Sequence, residues 1–316
     1  MILSTGGTIG NTLDGRVSIE TVLADVKRTH PDDHPRLYAN LEVEEVLSIG
    51  GESFTPDDWQ RVGRAVSKAV ESGDVDGVVV THGTFTAEVT AYFLHLTVDT
   101  TKPIVVACSQ RKHGTVGNDG DRNLIDAVRI ASDPAAHGLG VVVVLNEEIH
   151  SAREVTKTSR RPSGFHSDHS GILGTVCEDG VVVYRRPVRR HTQDSEFRVP
   201  PGDLPRVDIV AAYAGADGVA VDAFRQAGAR GLVVNGFSYS GKPHEHQRPS
   251  LERAADEGVS VVLVNRGGNG RMPIPPAPDG FIRGDNLTAQ KARVLLAVAL
   301  TTTSDLTELQ RIFTEY

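Results

Sequence analysis

The sequence has few aromatic residues, few cysteines and no long apolar run. Its 316 residues include one tryptophan, six tyrosines and nine phenylalanines against 32 glycines, a balance typical of many tight strand-to-helix turns rather than large aromatic pockets. Two cysteines, Cys108 and Cys177, are too few for a disulfide framework or a zinc cluster, and they fit a reducing compartment. No apolar run approaches the roughly 18 residues of a membrane span, and the sequence shows no signal peptide. We therefore expect a cytoplasmic protein with no membrane partner.

The chain also lacks an excess of positive charge. It carries 33 Lys and Arg against 41 Asp and Glu, a formal net charge of −8. A general electrostatic affinity for phosphate backbones or anionic membranes is therefore excluded, and we expect a small-molecule partner and no nucleic acid.

Short β-branched runs alternate with amphipathic stretches, which predicts βαβ units around a parallel sheet. The runs are almost continuously apolar, so the strands should be covered on both faces. They lie at 77–81, 103–107, 140–145, 207–211, 231–235 and 259–263. We expect Thr55 to cap a helix that has Pro56 at its first position, and Asp121 to cap a helix over 123–132.

A polar segment with four prolines, 187–205, has no clear period and reads as a linker. The length fits about two domains on a prior of roughly 150 residues each. The predicted fold is α/β, with a larger N-terminal domain over 1–186, built on a mainly parallel sheet flanked by helices. A smaller C-terminal α/β domain is predicted over 206–316.

Three segments carry candidate chemistry. The first, 2–10 (ILSTGGTIG), is a strand that ends in paired glycines and a hydroxyl, at the end of a sheet where open α/β folds bind ligands. It has neither the P-loop nor the G-x-G-x-x-G spacing, and a purely structural glycine turn is the alternative. The second, 80–86 (VTHGTFT), repeats that design, with His82 either catalytic or structural.

The third segment, 154–158 (EVTKT), follows the strand at 140–145 and contains Lys157. A lone lysine is usually a solvated surface charge. A lysine that is desolvated beside hydroxyl groups can instead lose its proton and act as a base.

Together, the TGGTI, THGT and VTKT segments resemble the bacterial-type L-asparaginase/glutaminase family, with further similarity at Asp119-Gly120 and 290–296 (QKARVLL). The resemblance covers nearly the whole chain. It implies the two α/β domains already predicted, a homo-oligomer (commonly a tetramer), and no metal or cofactor.

The resemblance also implies a site. The second threonine of TGGT, Thr8, is the implied nucleophile, and Thr84 with Lys157 corresponds to the hydroxyl and base of the family. The backbone at Gly7 and Gly83 is expected to approach the substrate carbonyl and stabilise the oxyanion. The implied reaction is hydrolysis of a carboxamide to a carboxylate and ammonia through an acyl-enzyme.

Three expected substrate contacts depart from the family pattern. Phe85 stands where THGTD has an aspartate that binds the α-ammonium of the substrate, and an apolar ring cannot pair with that charge. Gly51 replaces a serine whose hydroxyl would hold the α-carboxylate, whereas Glu52 remains and can accept bonds from an amine. The loop 11–16 (NTLDGR), the expected lid, has no tyrosine.

These departures favour an asparaginase-type amidohydrolase with altered substrate choice. One alternative is an ordinary L-asparaginase or glutaminase that tolerates Phe85. The other is a non-hydrolytic biosynthetic or binding protein on the same fold.

Overall fold

The computed structural model describes residues 1–268 and 270–316, which divide into two compact units, Met1–Val199 and Pro200–Tyr316. The N-terminal unit contains a large sheet and a small hairpin. The strands of the large sheet are β1 (Ile2–Gly6), β2 (Val43–Ile49), β3 (Val78–Thr81), β4 (Ile104–Ala107), β5 (Val141–Leu145), β6 (Glu148–Ser151), β9 (Gly174–Cys177) and β10 (Gly180–Val183). The hairpin consists of β7 (Thr156–Lys157) and β8 (Phe165–His166).

The order of strands in the large sheet creates a crevice between β1 and β3. The order is β10-β9-β6-β5-β4-β3-β1-β2; β1 to β5 run parallel to one another, and β6 pairs antiparallel with β5. The chain leaves β1 toward β2 and then returns past β1 to β3. Such a reversal of strand order opens a crevice at the carboxyl ends of the strands, where open α/β sheets bind ligands.

Helices cover both faces of this sheet. They are α1 (Ile19–Thr29), α2 (Pro56–Glu71), α3 (Ala87–Thr97) and α4 (Gly120–Ser132). On one face Val79 and Val105 of the sheet share a core with Val22 of α1 and Val128 of α4, all almost fully buried. The apolar runs that became β3, β4 and β5 are thus central strands with every residue buried, as predicted. The prediction is wrong for the run at 207–211, which forms a partly exposed strand at the edge of the C-terminal sheet.

One predicted helix start is confirmed and the other is wrong. The Thr55 side chain accepts a bond from the backbone of Asp58, whose carboxylate bonds back to Thr55, and Pro56 opens α2. Helix α4 instead begins at Gly120, so Asp121 lies within its first turn rather than capping it. The Asp119 carboxylate accepts bonds from the backbone N–H groups of the preceding loop and from the Asn123 side chain of α4.

In the described residues of the C-terminal unit, the strands β11 (Val207–Ala211), β12 (Gly231–Gly236), β13 (Ser260–Asn265) and β14 (Ile282–Arg283) form a parallel sheet in that order. Its helices are α5 (Val219–Gln226), α6 (Arg248–Asp256), α7 (Ala289–Ala299) and α8 (Leu306–Glu315). The predicted fold class, a larger and a smaller α/β unit on mainly parallel sheets, is confirmed. None of the helices in the described part combines the length and the apolar character that a membrane span requires.

Candidate active site

The turn after β1 can be built only with glycine. Gly6 and Gly7 have φ angles of 105° and 87°, a region that side chains with a Cβ avoid. A Cβ on Gly7 would lie 2.5 Å from the backbone nitrogen of Gly83, so the two turns meet backbone against backbone. Thr8 follows directly, as the first residue of a short 3-10 turn, and is half-buried.

The turn after β2 joins the same cluster. A Cβ on Gly83 would lie 2.8 Å from the backbone nitrogen of Gly51, and the Thr86 hydroxyl donates to the Gly51 carbonyl at 2.7 Å. The structure thus brings Gly7, Gly51 and Gly83 together, although they come from three separate segments. Because glycine has no side chain, the chain segments that follow β1, β2 and β3 can pack directly against one another at these positions.

Lys157 reaches Thr84 from the β7–β8 hairpin. Its Nζ donates to the Thr84 Oγ1 at 2.6 Å and lies 4.8 Å from the centroid of the Phe85 ring. Its backbone N–H donates to the Glu88 carboxylate at 3.0 Å. The threonine and lysine that the sequence selected 73 residues apart are therefore direct partners.

The surroundings of Lys157 favour its neutral form. Burial is the largest effect, and it lowers the pKa of this amine from its usual 10.5; the Arg160 charge acts in the same direction, whereas Glu88 opposes it. The neighbouring Cys108 thiol is fully buried, which raises its pKa to about 12. That thiol is uncharged near neutral pH, so it does little to hold the lysine protonated.

Two of the expected substrate contacts face solvent. Phe85 is 68% exposed, and Glu52 is exposed as well, with its carboxylate folded back toward Gly50. Phe85 therefore lies at the surface beside the bonded pair of Thr84 and Lys157.

The loop 11–16 after the Thr8 turn is tied down at several points. Asn11 and Arg16 pair across the loop, and the Arg16 guanidinium donates to the Ser48 hydroxyl on β2 at 3.1 Å. The backbone N–H of His113 donates to the Asn11 carbonyl at 2.8 Å. In this structure the expected lid is a small closed hairpin anchored to its neighbours.

Reasoning from the sequence missed Glu88. Every residue of α3 is buried, so Glu88 is a carboxylate in the first turn of an otherwise largely apolar helix. A glutamate inside a run of that kind was a signal available in the sequence, because carboxylates are rarely buried without a partner. Its partner, the backbone of Lys157, depends on the tertiary fold.

The protein has a crevice at the carboxyl edge of a parallel sheet, and glycine turns there surround a threonine that is hydrogen-bonded to a lysine. These features are typical of an α/β enzyme whose reaction uses a hydroxyl group and an amine. Models of the domains "Asparaginase, N-terminal" and "Glutaminase/Asparaginase C-terminal domain" match residues 1–189 and 206–313. The chain belongs to the asparaginase family and is an amidohydrolase.

Individual relatives cover the whole chain. L-asparaginase 2 of Bacillus subtilis is 37% identical over 325 residues, which span 100% of this chain and 86% of the relative. Glutaminase-asparaginase of Pseudomonas aeruginosa is 37% identical over 334 residues, spanning 100% of this chain and 90% of the relative. The crystal structure of the probable cytoplasmic L-asparaginase from Campylobacter jejuni superposes with a TM-score of 0.93 at 35% identity, covering 100% of this chain and 98% of the other. The expected family and amidohydrolase class are confirmed, and these comparisons lend no support to the non-hydrolytic alternative.

Proposed function

We propose that this amidohydrolase cleaves a carboxamide of the asparagine or glutamine type whose α-amine is not a free ammonium. The names of the relatives support the amide class. The Phe85 ring and the bare Gly51 support the change in substrate choice, because they supply neither the carboxylate nor the hydroxyl that the family pattern has at these positions.

In the proposed reaction, the Thr8 Oγ attacks the amide carbon while its proton passes toward the leaving nitrogen. The C–N bond breaks, ammonia departs, and the acyl group stays on Thr8 as an ester. Water then attacks the ester carbon, the bond to Thr8 Oγ breaks, and Thr8 regains a proton as the carboxylate leaves. Backbone N–H groups in the Gly7 and Gly83 turns stabilise the oxyanion of each tetrahedral intermediate.

Thr84 and Lys157 serve as the hydroxyl and base of this reaction. A threonine hydroxyl is a weak nucleophile at its ordinary pKa and needs a positioned base. The observation that carries the proposal is the 2.6 Å bond between Lys157 Nζ and Thr84 Oγ1, next to the contact of Gly7 with Gly83. The lowered pKa of Lys157 makes its neutral, basic form accessible at a lower pH than for a solvated lysine.

Ammonia release from a panel of amides tests the proposal. The panel holds L-asparagine, D-asparagine, L-glutamine, succinamate and N-acetyl-L-asparagine, with Thr8→Ala and Thr84→Ala as controls. We expect succinamate or the N-acylated amide to be preferred, and both variants to lose turnover. A preference for L-asparagine over every amide without a free α-amine would contradict the altered choice and support the second candidate, an ordinary L-asparaginase, which the names of the relatives favour.

We further propose a cytoplasmic homo-oligomer with domains 1–186 and 206–316 joined by the linker 187–205, whose part up to Val199 packs within the N-terminal unit. The name of the Campylobacter jejuni neighbour and the small number of cysteines support the location. The gap between the two family matches, 190–205, supports the linker. Cell fractionation tests the location, and a secreted protein would contradict it. Light scattering after size exclusion tests the oligomeric state, and a monomer would contradict it. Limited proteolysis tests the linker, and cleavage elsewhere would contradict it.

A further inference from the structure

The turn after β3 and the first turn of α3 contact Lys157 at three points. Thr84 accepts a bond from its Nζ, the Phe85 ring lies beside the Nζ, and Glu88 accepts a bond from its backbone N–H at 3.0 Å. Glu88 is 8% exposed, and the helix that carries it is buried along its length. Its carboxylate is therefore a fixed point against which the short strand β7 is set.

The charges that face Lys157 come from three places in the unit. Cys108 follows β4, Arg160 follows β7, and Glu88 lies in α3. Burial keeps the Cys108 thiol neutral by raising its pKa to about 12. Arg160 is a cation and disfavours a charged lysine. Glu88 is thus the carboxylate in this set that stabilises the ammonium form.

We propose that Glu88 is a positioning residue for Lys157, which orients its main chain by a direct hydrogen bond and sets the balance between its ammonium and amine forms. This proposal rests on the proposed function only for the role of Lys157 as a base. The hydrogen bond keeps the Nζ within reach of Thr84. The charge of Glu88 opposes the effect of burial, so the lysine binds and releases its proton at a higher pH than burial alone would allow.

Chemical labelling of Lys157 tests the charge effect without any substrate. The full-length protein is treated with a trace of acetic anhydride at a series of pH values, and acetylation of Lys157 is quantified by peptide mass spectrometry. In Glu88→Gln we expect the midpoint of labelling to fall, by less than about one pH unit, because an opposite charge has been removed and Glu88 is the weakest of the charges acting on the lysine.

The chain offers a matched control. Glu20 and Glu88 are each the second residue of an 11-residue helix, but Glu20 is exposed and pairs with Arg36. Glu20→Gln removes the same first-turn charge and should leave the Lys157 midpoint where it is in the wild type. A Glu88→Gln midpoint that coincides with the Glu20→Gln midpoint would overturn the proposal.

Glu88→Ala tests the positioning effect. It removes the hydrogen-bond acceptor, whereas glutamine retains one, so we expect kcat to fall about 10²-fold in Glu88→Ala with KM nearly unchanged, and far less in Glu88→Gln at its optimal pH. Equal kcat values in the two variants would overturn the proposal, and if Glu88→Ala does not fold the labelling result decides. If the wild type hydrolyses no amide, the proposed function fails while the labelling still measures the effect of Glu88.

Discussion

The ring of Phe85 lies 4.8 Å from the Nζ of Lys157, so an aromatic face and an ammonium meet where the family places a carboxylate. Interactions of this kind are worth about 0.5–1 kcal/mol at exposed sites. Phe85 therefore favours the charged form of Lys157, in addition to the substrate contact that the proposed function gives it.

Phe85→Asp should convert the site toward free amino acids. Succinamate is asparagine without its α-amine, so the two amides differ only at the group that residue 85 is expected to contact. We expect the kcat/KM ratio of L-asparagine over succinamate to rise by about tenfold or more, because a carboxylate can pair with the ammonium. Phe85→Leu, apolar and without a charge, should keep the wild-type ratio. Equal ratios in the two variants would show that position 85 does not select the substrate.

Thr84→Val should abolish most of the turnover while preserving the shape of the side chain. The variant removes the hydroxyl that accepts the 2.6 Å bond from Lys157. We expect kcat for ammonia release to fall by about 10²–10⁴-fold, the usual contribution of a positioned proton-transfer group. Thr84→Ser keeps the hydroxyl and should retain most of the rate. Comparable kcat values for valine and serine would remove Thr84 from the mechanism.

Gly7→Ala should disrupt the site through a collision, whereas Gly15→Ala should not. Both glycines have positive φ, 87° and 137°, so both substitutions strain the backbone by about 1–3 kcal/mol. A Cβ on Gly7 would also lie 2.5 Å from the nitrogen of Gly83, whereas one on Gly15 would meet nothing within 4 Å. Urea unfolding should show a larger loss of stability for Gly7→Ala, together with a loss of ammonia release. Equal losses for the two would mean that the Gly7–Gly83 approach is not required.

Acid should destabilise the protein partly through His82. This side chain is fully buried, packs against Phe54 with ring centroids 4.2 Å apart and ring planes tilted by 40°, and donates from Nδ1 to the Gly83 carbonyl. Burial lowers its pKa from 6.5 to about 4. Between these values the unfolded chain binds a proton that the folded chain does not, so the free energy of unfolding decreases as the pH falls from 6.5 to 4. At 1.36 kcal/mol per pH unit this contribution is about 3 kcal/mol.

His82→Leu isolates that contribution because leucine does not titrate. Urea unfolding from pH 7.5 to 4.5 should show a weaker dependence on pH for this variant than for the wild type. His137→Gln, at an exposed position, should behave like the wild type. A variant with the wild-type pH dependence would assign the acid sensitivity to other groups.

The main strands were predictable because they are short, apolar and almost continuous. The run at 77–81 became β3 over Val78–Thr81, and the run at 103–107 became β4 over Ile104–Ala107. Both are central strands, covered on both faces, so burial imposes the same requirement on every position. The start of α4 could not be predicted, because the Asp119 carboxylate just before it binds backbone N–H groups eight and nine residues earlier in the chain, at Arg111 and Gln110.

The sequence by itself determined the fold class and the types of side chain available for chemistry, because apolar periodicity and glycine turns act over a few residues. The tertiary structure alone decided that Lys157 meets Thr84, that Glu88 holds the lysine backbone, and that Gly51 closes on Gly83. These contacts join residues that are far apart in the sequence: Gly51 and Gly83 are 32 residues apart, and Thr84 and Lys157 are 73 residues apart. Such distances along the chain are bridged only when the strands have paired and the sheet has fixed which of their ends lie side by side.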